Sequence, residues 1–134
     1  MPKVLISDKL SEKAEEIFKK QGIEVTINTE LSPEDLSNII NDFDGLAIRS
    51  NTKVTSDIIK HAKNLKVIGR AGIGVDNIDI ESATANGTIV MNTPFGNSIT
   101  TAEHTIALMM SLARNIPIAN TSTHLGKWEK YKYT

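Results

Sequence analysis

The feature that most constrains the fold is a strict alternation of short apolar runs and amphipathic segments over the first ninety residues. Val4-Leu5-Ile6 is a brief apolar run, and Leu10, Ala14, Ile17 and Phe18 then recur at helical spacing until Gly22 offers a stop. Val25 and Ile27 alternate with polar neighbours. Ser32-Pro33 supplies an N-cap and a first helical residue for a segment carrying Leu36, Ile39 and Ile40 on one face. Leu46-Ala47-Ile48 repeats the strand signal, Thr55 caps a helix with Ile58, Ile59 and Ala62, and Val67-Ile68 follows as a fourth strand. Asp79 caps a short helix that Asn86-Gly87 terminates, and Thr88 to Met91 form a fifth strand. The order βαβαβαβαβ predicts an α/β domain with a flavodoxin-like, doubly wound, parallel five-stranded sheet covered on both faces.

Such sheets bind ligands beyond the carboxyl ends of their strands, so the loops beginning at Ser7, Arg49, Arg70 and Asn92 are the ones to read for function. At 134 residues and 40% apolar content the chain can bury one ordinary core. Fifteen basic against sixteen acidic side chains leave no bulk field toward nucleic acid or acidic membranes, so small molecules or other protein chains are the expected partners. There is no cysteine, and the amino terminus runs straight into strand-like sequence rather than a signal peptide; a cytoplasmic location is expected.

Past the fifth strand, Asn92 to Asn97 read as a turn-rich break, and Thr100-Thr101-Ala102-Glu103 has the spacing of a capping box. The helix that starts there, running to Ile116, is apolar on nearly every side, whereas Pro117 to Thr134 are polar. Its cover is therefore expected from missing sequence or another subunit. The chain is expected to divide into residues 1–97 and residues 98–134.

The segment Gly69-Arg70-Ala71-Gly72-Ile73-Gly74-Val75-Asp76-Asn77-Ile78-Asp79 is the most specific. A dinucleotide fingerprint would need its third glycine where Asn77 stands, and the segment does not lie at the first strand-to-helix turn. Gly72 and Gly74 fit either a nest whose amides approach a carboxylate or phosphate, or a plain turn. Arg49 offers a planar donor fork for an anion, or is a solvated strand-end residue. Arg70 could contact a ligand or bridge to Asp76. His61, His104 and His124 read as solvated or packing residues, and metal binding is not expected, since no pair of histidines shares helical spacing with a carboxylate and there is no cysteine. Asp76 and Asp79 read as turn and N-cap residues. A phosphoacceptor receiver domain is set aside, since Arg49 stands where its aspartate would be needed.

GRAGIGVDNID, then MNTP, then TAEHTIALMMSLARNIP resemble the D-2-hydroxyacid dehydrogenase family in consecutive blocks, over essentially the whole chain. IRSNTKVT from Ile48 and GKWEK from Gly126 are similar to members that oxidise 3-phosphoglycerate in serine synthesis. The resemblance implies that the backbone amides of Ala71, Gly72 and Ile73 hold the substrate carboxylate. It also implies that Arg49, Ser50 and Asn51 face a phosphate-bearing substrate, that Ile73 and Thr101 approach NAD, and that Lys130 reaches a neighbouring subunit's site or is a solvated tail charge. Hydride would pass between C2 of the 2-hydroxy acid and NAD while a His paired with a Glu moves the hydroxyl proton. By the same resemblance the fingerprint and the catalytic Arg, Glu and His lie beyond Thr134, so no catalytic residue is assigned and the chain alone is expected to be inactive. The alternative is a non-catalytic ligand-binding or oligomerisation module derived from such an enzyme.

Overall fold

A computed structural model describes residues 1–133 and places them in two compact units, Met1–Gly96 and a second beginning at Asn97. In the first, strands β1 (Lys3–Ile6), β2 (Glu24–Ile27), β3 (Gly45–Ile48), β4 (Val67–Arg70) and β5 (Ile89–Asn92) form one all-parallel sheet in the order β2-β1-β3-β4-β5. Helices α1 (Glu12–Lys20), α2 (Pro33–Ile39), α3 (Ser56–His61) and α4 (Ile80–Ala85) make the crossovers. This is the flavodoxin-like order that the alternation predicts. The punctuation is also as read. Ser32 accepts the Asp35 N–H at 3.1 Å with Pro33 behind it, Asp79 accepts the Ser82 N–H at 2.9 Å, and Gly22 and Gly87 take φ of 72° and 75°. Thr55 occupies the N-cap position of α3 without a side-chain capping bond.

Both faces carry a core, as expected, but their cover is unequal. Right-handed crossovers that step in one direction along the sheet all fall on the same face. From β2 onward every step runs toward β5, so α2, α3 and α4 share a face, and their Leu36, Ile58, Ile59 and Ala83 pack with Leu5, Leu46, Ile48 and Ile68 in the larger core. Only the β1-to-β2 step runs the other way, and the smaller cluster of Val4, Ile6 and Ala47 packs with Leu10 and Phe18 at the two ends of the α1 segment. Ile89 and Met91 of β5 consequently remain exposed. At the amino-terminal edge, Asp44 accepts from the Lys66 ammonium at 2.7 Å and the Lys3 N–H at 2.9 Å. These donors, the ammonium foremost, hold its carboxyl below the ordinary aspartate range.

The second unit departs from the sequence reading at two places. Helix α5 spans Ser98–Ala113, so Thr100 to Glu103 lie inside it, and its N-cap is Asn97 rather than Thr100. The chain then breaks at Asn115, which takes a left-handed φ of 52°, and a further helix, α6 (Ile116–His124), begins with Pro117 in its first turn. Pro117 has no N–H to bond back into α5 and is suited to a helix start, so the long apolar helix stops short of Ile116. Ser122 of α6 donates to Glu129 Oε2 at 2.6 Å, and this bond foremost holds the Glu129 carboxyl below its usual range. Ile106, Leu108, Met109, Met110 and Leu112 of α5 are exposed. Among the described residues no helix is long and apolar enough to cross a membrane.

Candidate functional site

The carboxyl edge of the sheet brings together the loops that begin after β1, β3, β4 and β5. Strand β3 is buried along its full length, ending in the fully buried Ile48, and the chain emerges at Arg49 and Ser50, both exposed. The backbone there is held at both ends of a four-residue loop. Asp8 Oδ2 accepts from the Arg49 N–H at 2.6 Å and the Thr52 N–H at 3.2 Å. Asn77 Nδ2 donates to the Arg49 carbonyl at 2.7 Å and the Thr52 carbonyl at 2.6 Å. The Ser7 and Thr52 hydroxyls lie 3.0 Å apart. The side chains of Arg49, Ser50 and Asn51, by contrast, make no hydrogen bond or ion pair among the described residues.

The neighbouring turn after β4 is supported from beneath. Arg70, whose side chain is 11% exposed, donates through Nη1 to the Gly74 carbonyl, and its Nη2 lies 4.0 Å from Asp76 Oδ1. Nε of Arg70 is buried without a partner. Neither Gly72 nor Gly74 has a left-handed φ. A Cβ is unwelcome for another reason, since at Gly72 it would stand 2.6 Å from Arg70 Nη1 and at Gly74 2.8 Å from Asp76 Oδ1. From the β5 side, Asn92 Nδ2 donates to the Ile73 carbonyl at 2.7 Å, and the Thr93 N–H donates to the Gly72 carbonyl at 3.0 Å.

This support decides which amides of the turn are spare. The Ala71 N–H donates to the Ile48 carbonyl at 2.8 Å and the Gly72 N–H to the Arg70 carbonyl at 2.9 Å. Those of Ile73 and Gly74 make no bond within the described residues. Ile73 is 45% exposed at the crest of the turn. Thr101 is exposed on the second unit, on the first turn of α5. His61 and His124 bond through Nδ1 to the Asp57 and Asn120 carbonyls of their own helices, at 2.8 and 2.9 Å, and His104 is exposed. Asp79 is an N-cap, and Asp76 is an exposed turn residue beside Arg70.

Sequence reasoning pointed to the loops but missed the residues that brace them: Asp8, Thr52, Asn77, Asn92 and Thr93. The one signal for Asp8 was an acid two residues past the end of an apolar strand, which reads equally well as part of the entry to α1.

The fold and this edge define a doubly wound α/β domain whose candidate ligand loops follow β3 and β4. The chain belongs to the D-isomer specific 2-hydroxyacid dehydrogenase family, matching its catalytic domain over residues 4–129. It is 50% identical over 131 residues to the D-3-phosphoglycerate dehydrogenase of Archaeoglobus fulgidus, an alignment covering 98% of this chain and 25% of that protein. The chain thus spans about a quarter of the length of the curated relatives it matches. Among solved structures, the PH0520 protein of Pyrococcus horikoshii OT3 superposes with a TM-score of 0.83 at 36% identity, over 97% of this chain and 39% of that one. The 3-phosphoglycerate dehydrogenase of Entamoeba histolytica with bound NAD+ superposes with a TM-score of 0.73 at 37% identity, over 84% of this chain and 39% of that one.

Proposed function

We propose that this chain is the substrate-domain portion of an NAD-dependent D-3-phosphoglycerate dehydrogenase, which oxidises 3-phosphoglycerate to 3-phosphohydroxypyruvate on the way to L-serine in the cytoplasm. The observation that carries the reading is the unspent trio Arg49, Ser50 and Asn51 on a braced loop, next to the Ala71-Gly72-Ile73 turn, in a chain half identical to such enzymes. Arg49 pairs with the phosphate as a planar, permanently charged fork. Ala71 and Gly72 shape the turn with amides already engaged, so the substrate carboxylate is received by the amides of Ile73 and Gly74. Ile73 presents an apolar surface suited to a nicotinamide ring, and Thr101 is the second unit's candidate cofactor contact. A bound NAD would supply the acceptor for the C2 hydride, while the hydroxyl proton would pass to the His–Glu pair that the family resemblance implies.

In this reading the chain alone binds but does not turn over. The checking experiment is a titration of the 15N-labelled chain with 3-phosphoglycerate and, separately, with NAD. Amide shifts at Arg49 to Asn51 and Ile73 to Gly74 are expected with phosphoglycerate and scarcely with NAD. Absence of any response to phosphoglycerate sinks the reading, and enzyme-like NADH formation by the chain refutes inactivity.

A second reading, association through α5, is favoured by its exposed Ile106, Leu108, Met109, Met110 and Leu112, an apolar area of the kind that marks an interaction surface. Light scattering is expected to report a dimer or larger, and Leu108→Glu to return it to monomer. A wild-type monomer would end this reading.

A further inference from the structure

Resting on the reading of Arg49 as the anion-binding residue, we propose that Asp8 and Asn77 are its positioning residues, a carboxylate and an amide that occupy the sheet's switch point and fix the backbone from which Arg49 projects. In a sheet of order β2-β1-β3-β4-β5 the connections from β1 and β3 leave in opposite directions, and the crevice between their loops is where such folds place a ligand. Here the chain fills that crevice itself. Asp8, 3% exposed, directs Oδ2 at the N–H groups of Arg49 and Thr52, the contacts a bound anion would make with a backbone nest. With the crevice taken, an external anion is left the outer side of the β3 loop, where the Arg49, Ser50 and Asn51 side chains stand unspent.

Asn77 completes the brace from the β4 side by donating to the carbonyls of the same two residues, Arg49 and Thr52. Its Oδ1 is buried with no partner, so the amide is oriented by its donor side alone. Two side chains thereby hold all four backbone groups at the first and last residues of the loop, while Ser50 and Asn51 at its tip are left free. A loop fixed in this way has little entropy left to lose on binding. Asn77 also follows the Gly72–Gly74 turn in sequence and is tied onward through its carbonyl to the Val54 N–H at 2.8 Å. The two candidate ligand loops therefore share one brace, and neither Asp8 nor Asn77 needs to touch the ligand.

The test uses the 15N-labelled chain as wild type, Asp8→Ala, Asp8→Asn and Asn77→Ala. Without ligand, the Arg49 and Thr52 amides are expected to exchange about tenfold faster in Asp8→Ala, with Asp8→Asn between, since it keeps an acceptor but loses the charge. Unchanged protection of both amides overturns the proposal. With 3-phosphoglycerate, Kd is expected to rise about tenfold in Asp8→Ala and Asn77→Ala. In an Arg49→Lys background the Asp8 change should add little, because it acts through Arg49. Full additivity would instead assign Asp8 a general structural role. If Asp8→Ala fails to fold, Asp8→Asn and Asn77→Ala carry the same comparison. If wild type ignores phosphoglycerate, the functional reading fails and the exchange arm alone decides on the brace.

Discussion

Replacing Ile48 with alanine is expected to lower the stability of the first unit by about 2–5 kcal/mol. Ile48 is fully buried in the larger core with Leu5, Leu46, Ile58 and Ile68 around the central strands. Truncating it removes three carbon atoms from a layer gripped on one side by the sheet and on the other by α2 and α3, so little collapse into the space is open. Against a total of about 5–15 kcal/mol for a domain, that is a large share. The thermal midpoint should fall by about 10 °C or more, followed by far-UV circular dichroism. Trp128 fluorescence would be a poor probe, since that side chain is 84% exposed and lies in the second unit. A midpoint within about 2 °C of wild type would mean that the strand leading to Arg49 is not held by the core in the way described.

Gly72→Ala is expected to do the reverse, sparing the fold and damaging the turn. The new Cβ meets Arg70 Nη1 at 2.6 Å and Cζ at 3.2 Å, the far end of a flexible side chain, so the guanidinium swings away rather than the sheet distorting. Arg70 then loses its bond to the Gly74 carbonyl, and the Ile73 and Gly74 amides lose the support that aims them. Phosphoglycerate affinity should drop about tenfold or more, as misplacement of a positioned site costs. Gly22→Ala is the matching control. Nothing lies within 4 Å of that position, but its φ of 72° strains a side chain, so about 1 kcal/mol of stability is lost with binding unchanged. Wild-type affinity in Gly72→Ala would remove the Arg70 support from the account.

Much of this molecule was legible in order along the chain. The strands, the caps at Ser32 and Asp79, and the stops at Gly22 and Gly87 depend on neighbours within four residues, so local spacing reports them directly. The end of α5 was less legible because two local rules competed. Apolar residues continued through Ile116, while Pro117 called for a new start, and the backbone resolved the conflict with a left-handed Asn115. The resemblance of consecutive motif blocks to the 2-hydroxyacid dehydrogenases is likewise a property of sequence alone.

What sequence alone determined, then, is the alternation that specifies a parallel doubly wound sheet and the family to which its motifs belong. Tertiary structure alone decided three things: that one face of the sheet is left partly bare, that the Arg70 guanidinium occupies the space a Cβ at Gly72 would need, and that Asp8 and Asn77 brace the Arg49 loop. The physical reason is the same in each case. Helix placement follows from the spatial order of the strands, and the bonds from Asp8 to Arg49 and Thr52 join residues 41 and 44 positions apart. No local pattern encodes such a contact, because it comes into being only when β3 pairs beside β1.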